Sequence, residues 1–294
     1  MELNNGIKSF WNKATIAERF ITVNVVLFLL VRIIPFLFSF STNALLYYVE
    51  LSQEIGLLLF KPWSILTYAF FHIDFSHLFW NMLLLWGISN MFLNLFDQRY
   101  YLRVYVLGTL FGALFYLVSY QLFPAFTGSN SALIGASAAV MSLVIFLATY
   151  TPDYIVRIFT FKIKLWYIGL FLVLVDLIQL PNGNAGGHIA HLGGAYLGYL
   201  YATKLKSSKD VGAGFFKFLE RLFTKSSPLK TVHRSNKQTK NKSKGDVLSN
   251  DERQKKIDAI LDKISNSGYE SLSKAEKDFL FRAGNSSYGI EILE

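Results

Sequence analysis

Six windows of this chain are apolar over about the ~20 residues a helix needs to cross a ~30 Å hydrocarbon layer. They lie near 19–40, 74–96, 102–123, 131–150, 165–181 and 186–203. Lipid offers no partner to backbone N–H and C=O groups, so a segment of this length must bond internally, as a helix. The composition agrees: 52% of the 294 residues are Ala, Val, Ile, Leu, Met, Phe, Trp, Tyr or Cys and only 17% are charged, too few polar groups to cover a soluble surface. The expected fold class is an all-α membrane protein, a six-transmembrane-helix bundle. Lys8 and Lys13 before the first window resemble a signal peptide, but that run is long, contains Arg32 and lacks a small-residue cleavage site, so it is read as a retained span.

Charge sets domains and orientation. Residues 1–203 hold ten Lys/Arg and eight Asp/Glu, whereas 204–294 hold nineteen and twelve. Lys8, Lys13 and Arg19 precede the first span; Arg99 and Arg103 follow the second; Arg157, Lys162 and Lys164 follow the fourth. Cytoplasmic loops are enriched in such residues, so both termini are expected there, with only Lys61 and the end-placed Arg32 on the outer side. Segment 41–73 is too apolar for a solvated loop and is read as lying in the outer interface. The expected division is a cytoplasmic N-terminus at 1–18, a membrane domain at 19–206, a juxtamembrane helix and basic linker at 207–249, and a small cytoplasmic helical hairpin at 250–294. Phe215, Phe216, Phe218, Leu219, Leu222 and Phe223 suggest an interfacial helix beside anionic lipid or a short linker helix. Residues 224–250 are too polar to fold and read as a disordered linker. Ile257, Ile260, Leu261 and Ile264 mark one helix ended by Gly268, and Ser273 with Glu276 forms a capping box for the next.

The absence of Cys removes disulfides, thiolate catalysis, iron–sulfur clusters and Cys-based zinc sites. Ionisable groups inside a membrane are costly and usually functional, and four of five histidines, His72, His77, His188 and His191, fall in or at the ends of spans. His77 and Asn81 are four apart on the second helix and share a face. The fourth span begins Gly135-Ala136-Ser137. In the sixth, Gly194 and Gly198 form a small-xxx-small face that admits a close neighbour, with His191 one turn before it. Ser137 lies fourteen residues from Thr151 and His191 thirteen from Lys204, so both sit ~20 Å from the cytoplasmic edge. At one level, a Ser hydroxyl beside an imidazole becomes a nucleophile. The Ser137 N–H with Asn81 and His77 would hold the oxyanion. No acid is evidently available to orient His191; Asp176 in the fifth span is the only buried candidate and is read as structural or a helix-end group, which leaves a Ser-His dyad.

The set His72-x4-His77-x3-Asn81, Gly135-x-Ser137 and Ala190-His191-x2-Gly194-x3-Gly198, on the second, fourth and sixth of six spans, resembles the rhomboid intramembrane serine proteases over about 19–203. The resemblance implies a rhomboid-like bundle, Ser137 as nucleophile, His191 as general base and acid, and His77 with Asn81 as oxyanion donors, with His72, Gly135, Gly194 and Gly198 as secondary site residues. It also implies cleavage of single-span membrane proteins near the outer face, with Trp63 matching the Trp of a Trp-Arg pair in the first loop. The hairpin at 250–284 looks like a small tail domain of some bacterial rhomboids. Three positions depart from the family: Ser64 stands in place of Arg, Ala138 in place of Gly after the serine, and Met141 in place of an aromatic that stacks on the histidine. A working site with a less rigidly held histidine is expected.

No cofactor, no metal and no nucleic-acid partner are expected. The expected partners are the lipid bilayer, single-span substrates and, for the hairpin, a cytoplasmic protein of unidentified kind; the expected membrane is the bacterial inner membrane. The alternative is a non-catalytic rhomboid-like protein that binds transmembrane helices. A metal or haem enzyme is disfavoured because the chain lacks His-Glu-x-x-His, Cys and an intramembrane Glu. An aspartyl protease would need a second acid beside Asp176, and a transporter internal repeats or charged pathway residues.

Overall fold

The computed structural model describes residues 2–158, 160–223 and 250–285. The chain divides into two compact units, Met1–Ser227 and Pro228–Glu294.

The first unit is a helical bundle. Helix α1 (Glu2–Lys13) is amphipathic and leaves Phe10 and Trp11 exposed, which suits the membrane surface rather than a span. Helix α2 (Ile16–Phe38) starts at a capping box: the Thr15 N–H donates to Glu18 Oε2 at 2.7 Å and the Glu18 N–H to Thr15 Oγ1 at 3.2 Å. It stops three residues beyond Pro35, at Ser39 in the left-handed region.

The outer segment follows as short pieces: α3 (Thr42–Leu46), β1 (Leu51–Ser52), a 3₁₀ turn at Ile55–Leu59, α4 (Ser64–Thr67) and a second 3₁₀ turn at Tyr68–Phe70. Leu59 and Phe60 are 84% and 78% exposed. Lys61 is buried instead of facing solvent. Its Nζ donates to the Tyr47 carbonyl at 2.6 Å and lies 4.0 Å over the Tyr47 ring; burial lowers its ammonium pKa, and Glu50 opposes that shift. We expect Lys61→Met to remove about 1–2 kcal/mol of local stability and to speed proteolytic nicking within 41–73 roughly tenfold in vesicles, the helices staying intact; an unchanged nicking rate would contradict this.

Helices α5 (Phe75–Leu95), α6 (Gln98–Leu122), α7 (Ser137–Tyr150), α8 (Leu165–Gln179) and α9 (Ala185–Lys206) complete the bundle. Asp74 caps α5 by accepting from the His77 N–H at 2.8 Å, and Asp97 caps α6 through the Arg99 N–H at 2.8 Å. Arg32 ties the outer end of α2 to the Ile73 carbonyl, just before α5. Six helices thus stand where six windows were expected, although among the described residues four are both long and apolar enough to cross a membrane by themselves. Helix α7 is too short, and the glycines and histidines of α9 dilute its apolar run. The fourth span is corrected at its start: 131–136 is not helix, because Ala132–Leu133 forms strand β2 and pairs antiparallel with β1, Leu51 opposite Leu133. Between α7 and α8, β3 (Ile155–Ile158) and β4 (Phe161–Lys164) form a hairpin that the charge pattern alone did not reveal.

Helix α7 is the centre of this unit, buried from Ala138 to Ala148. It is gripped by glycines on both sides. A Cβ at Gly108 of α6 would lie 2.1 Å from Ser142 Oγ, one at Gly194 of α9 2.1 Å from the Ala138 carbonyl oxygen, and one at Gly198 2.3 Å from that of Ser142. Helix axes this close need residues without side chains at the crossing. After α9, the Asp210 carboxylate pairs with Arg103, accepts from the Tyr201 hydroxyl, and receives the Gly212 and Ala213 N–H groups at 3.1 Å each. It thereby fixes the start of α10 (Ala213–Phe223), whose Phe218 and Leu222 are exposed.

In the second unit α11 (Asn250–Ser267) ends at Gly268, a 3₁₀ turn spans Tyr269–Ser271, and α12 (Lys274–Asn285) follows. Ile260, Leu272 and Ala283 are buried, whereas Leu261 on the anticipated apolar face is exposed. Ser273 and Glu276 make the capping box, with the Ser273 N–H 2.7 Å from Glu276 Oε2, and Lys263 reaches Glu276 at 3.0 Å. The linker read at 224–249 lies outside the described residues.

Candidate active site

The site forms where the segment entering α7 meets α5 and α9. Gly135 adopts φ +121°, which side-chain-bearing residues rarely reach, and a Cβ there would sit 2.6 Å from the His77 ring. Two contacts hold the turn. The Gly135 N–H donates to the Tyr68 carbonyl at 2.9 Å, and the Ala136 N–H approaches His72 Nε2 at 3.5 Å. Tyr68 is itself buried, its hydroxyl donating to the Thr109 carbonyl of α6 at 2.8 Å. His72 is buried and packs edge-on to His77, ring centroids 5.0 Å apart. Both are thus supports under the turn that delivers Ser137.

Ser137 is the first residue of α7. The first N–H groups of a helix have no partner within it, so the Ser137 N–H is free to serve an anion near its own hydroxyl. Asn81 is buried, and its Nδ2 donates to the His77 carbonyl at 2.9 Å; an amide carries two protons, so one remains.

Helices α7 and α9 run parallel in a fixed register. Gly194 opposes Ala138, and Gly198, four residues on, opposes Ser142, also four residues on. His191, one turn before Gly194, is thereby level with the Gly135–Ser137 segment. The His191 side chain is 22% exposed, so the surrounding helices do not seal it off.

Asp176, read from the sequence as structural or a helix-end group, lies in the last turn of α8 and has partners the sequence did not show: it is buried, and its Oδ1 lies 2.8 Å from His191 Nδ1 and 2.8 Å from His188 Nδ1. The three side chains would also be near enough for one divalent cation. The two 2.8 Å separations from Oδ1, however, are hydrogen-bond lengths, shorter than the about 3.3 Å edge of a tetrahedron with ~2.0 Å metal–nitrogen bonds.

Of the positions departing from the family, Ser64 is wholly buried with an unbonded Oγ, and Met141 packs with Ile145 and Ala195. Trp63 Nε1 donates to the Tyr48 carbonyl at 2.8 Å, so it braces the outer segment.

A family model for the rhomboid domain matches residues 60–208, half of the chain. The chain belongs to the rhomboid family. It is 28% identical over 160 residues to RHOMBOID-like protein 12, mitochondrial, of Arabidopsis thaliana, covering 50% of this chain and 47% of that protein. It is 27% identical over 209 residues to the presenilin-associated rhomboid-like protein, mitochondrial, of Mus musculus, covering 68% and 52%; the Homo sapiens protein of that name is 27% identical over 205 residues, covering 67% and 51%. The chain thus spans about half the length of these rhomboid relatives. Their names place them in mitochondria, at odds with a bacterial inner membrane; integral membrane placement is what stands. A family of unknown function, DUF6576, matches residues 249–283, the hairpin.

Proposed function

We propose that the chain is an intramembrane serine endopeptidase that cleaves single-span membrane proteins near the outer face. The observation that supports this most directly is the parallel register of α7 and α9, which brings His191 level with a serine at a helix N-terminus. In this reading the Ser137 hydroxyl attacks the scissile carbonyl while His191 Nε2 takes its proton. The oxyanion is met by the Ser137 N–H, the second Asn81 amide proton and His77; His191 then returns the proton to the leaving amine as the C–N bond breaks, and a water deprotonated by the same Nε2 hydrolyses the acyl ester, which releases the acid and restores the Ser137 hydroxyl. A substrate helix has its peptide groups bonded internally, so it must unwind locally, and small or helix-breaking residues near its outer end are the preferred cut sites.

A serine-directed fluorophosphonate should label the lipid-embedded protein once, at Ser137, and leave Ser137→Ala unlabelled. EDTA should not change cleavage. Absent labelling, or equal labelling of Ser137→Ala, would favour the non-catalytic reading, and loss with EDTA would favour metal chemistry.

A further inference from the structure

We propose that Asp176 is a positioning residue that fixes His191 in the tautomer able to accept a proton from Ser137. This rests on the endopeptidase reading above. A carboxylate inside a membrane helix is costly unless it has partners, and Asp176 is 4% exposed. Its Oδ1 lies 2.8 Å from the Nδ1 atoms of both His188 and His191; an ionised carboxylate can only accept, so each Nδ1 facing it carries the proton, whereas its Oδ2 has no partner among the described residues.

The consequence for His191 follows from proton count. A neutral imidazole carries one N–H; with that proton on Nδ1 and facing the carboxylate, Nε2 keeps its lone pair. Nε2 is then the base. When it takes the Ser137 proton, the ring becomes an imidazolium beside a carboxylate, and the two charges offset each other where water is scarce. Asp176 neither gains nor loses a proton, and the same Nε2 proton later passes to the amine nitrogen as the C–N bond breaks. His188 supplies the second donor that holds the carboxylate in place. The arrangement also answers the departure at Met141. That side chain packs with Ile145 and Ala195, so the support assigned in the family to an aromatic ring falls here to a hydrogen bond from α8.

The test uses the full chain in lipid vesicles with a model single-span substrate. Asp176→Asn offers His191 an amide that can equally select the wrong tautomer, so kcat should fall about 10²-fold, with KM and the melting temperature little changed. Asp176→Glu restores a carboxylate and should recover about tenfold of that loss. Nitrogen-15 spectra of imidazole in the wild-type protein, the His191 signal being the one lost in His191→Asn, should show the Nδ1–H tautomer. A wild-type Nε2–H tautomer overturns the proposal, even if Asp176→Asn proves unable to fold. An unchanged kcat in Asp176→Asn, or a loss no larger than its loss of folded protein, also overturns it. The two readings fail differently: activity retained in Ser137→Ala would sink the endopeptidase, whereas a dead Ser137→Ala beside a fully active Asp176→Asn would sink only the role of Asp176.

Discussion

Ser137→Ala is expected to reduce cleavage of a single-span substrate by up to about 10⁶-fold, and His191→Ala by nearly as much, with the double variant no worse than either. The reason is that, in the proposed endopeptidase, the two groups perform one act. A hydroxyl whose proton has no acceptor is a poor nucleophile, and a base without the hydroxyl has nothing to activate. What survives comes from the oxyanion donors and from binding, which both variants keep. The measurement is conversion of substrate in vesicles for the four proteins of the cycle. Losses that multiply, rather than coincide, would mean that Ser137 and His191 act separately.

Gly194→Ala should be the most disruptive single-methyl change in the bundle. Its Cβ would lie 2.1 Å from the Ala138 carbonyl oxygen, a backbone atom that cannot rotate away, so α9 must move off α7. Forced separation of packed elements costs about 1–3 kcal/mol. It also draws His191 away from Ser137, so cleavage should fall by more than the loss of folded protein explains. Gly87→Ala in α5 is the control: its Cβ meets nothing within 4 Å, and it should be neutral or stabilising by up to about 1 kcal/mol. Melting temperature and cleavage, read on both variants, test the comparison; equal behaviour of the two would contradict the close crossing.

The helices were legible because lipid enforces a length and a composition that few other structures require. The expected spans at 74–96, 165–181 and 186–203 lie within three residues of α5, α8 and α9 at either end. The late start of α7 was not legible, since Ser131 to Ala136 is compatible with helix by composition; the pairing of β2 with β1, eighty residues earlier in the chain, removes it from the span. Tyr68 gave no signal because its value lies in a carbonyl aimed at Gly135 and a hydroxyl aimed at Thr109, and neither follows from spacing. Asp176 was visible as the one buried acid, but its role depends on how α8 is rotated against α9. An apolar helix with a weak moment does not encode that rotation. Groups sharing one helix, such as His77 with Asn81, were easier to pair than groups on separate helices.

Helix α7 is both the shortest span, at 14 residues, and enclosed by protein for most of its length. At 1.5 Å per residue it is about 21 Å long, well under the thickness of the hydrocarbon layer. Its length is matched to neighbouring helices and loops instead of to acyl chains. Hydrophobic mismatch therefore acts on the lipid-facing α2 and α8, which can tilt, while Ser137 stays at a depth set by protein contacts in thin and thick bilayers alike.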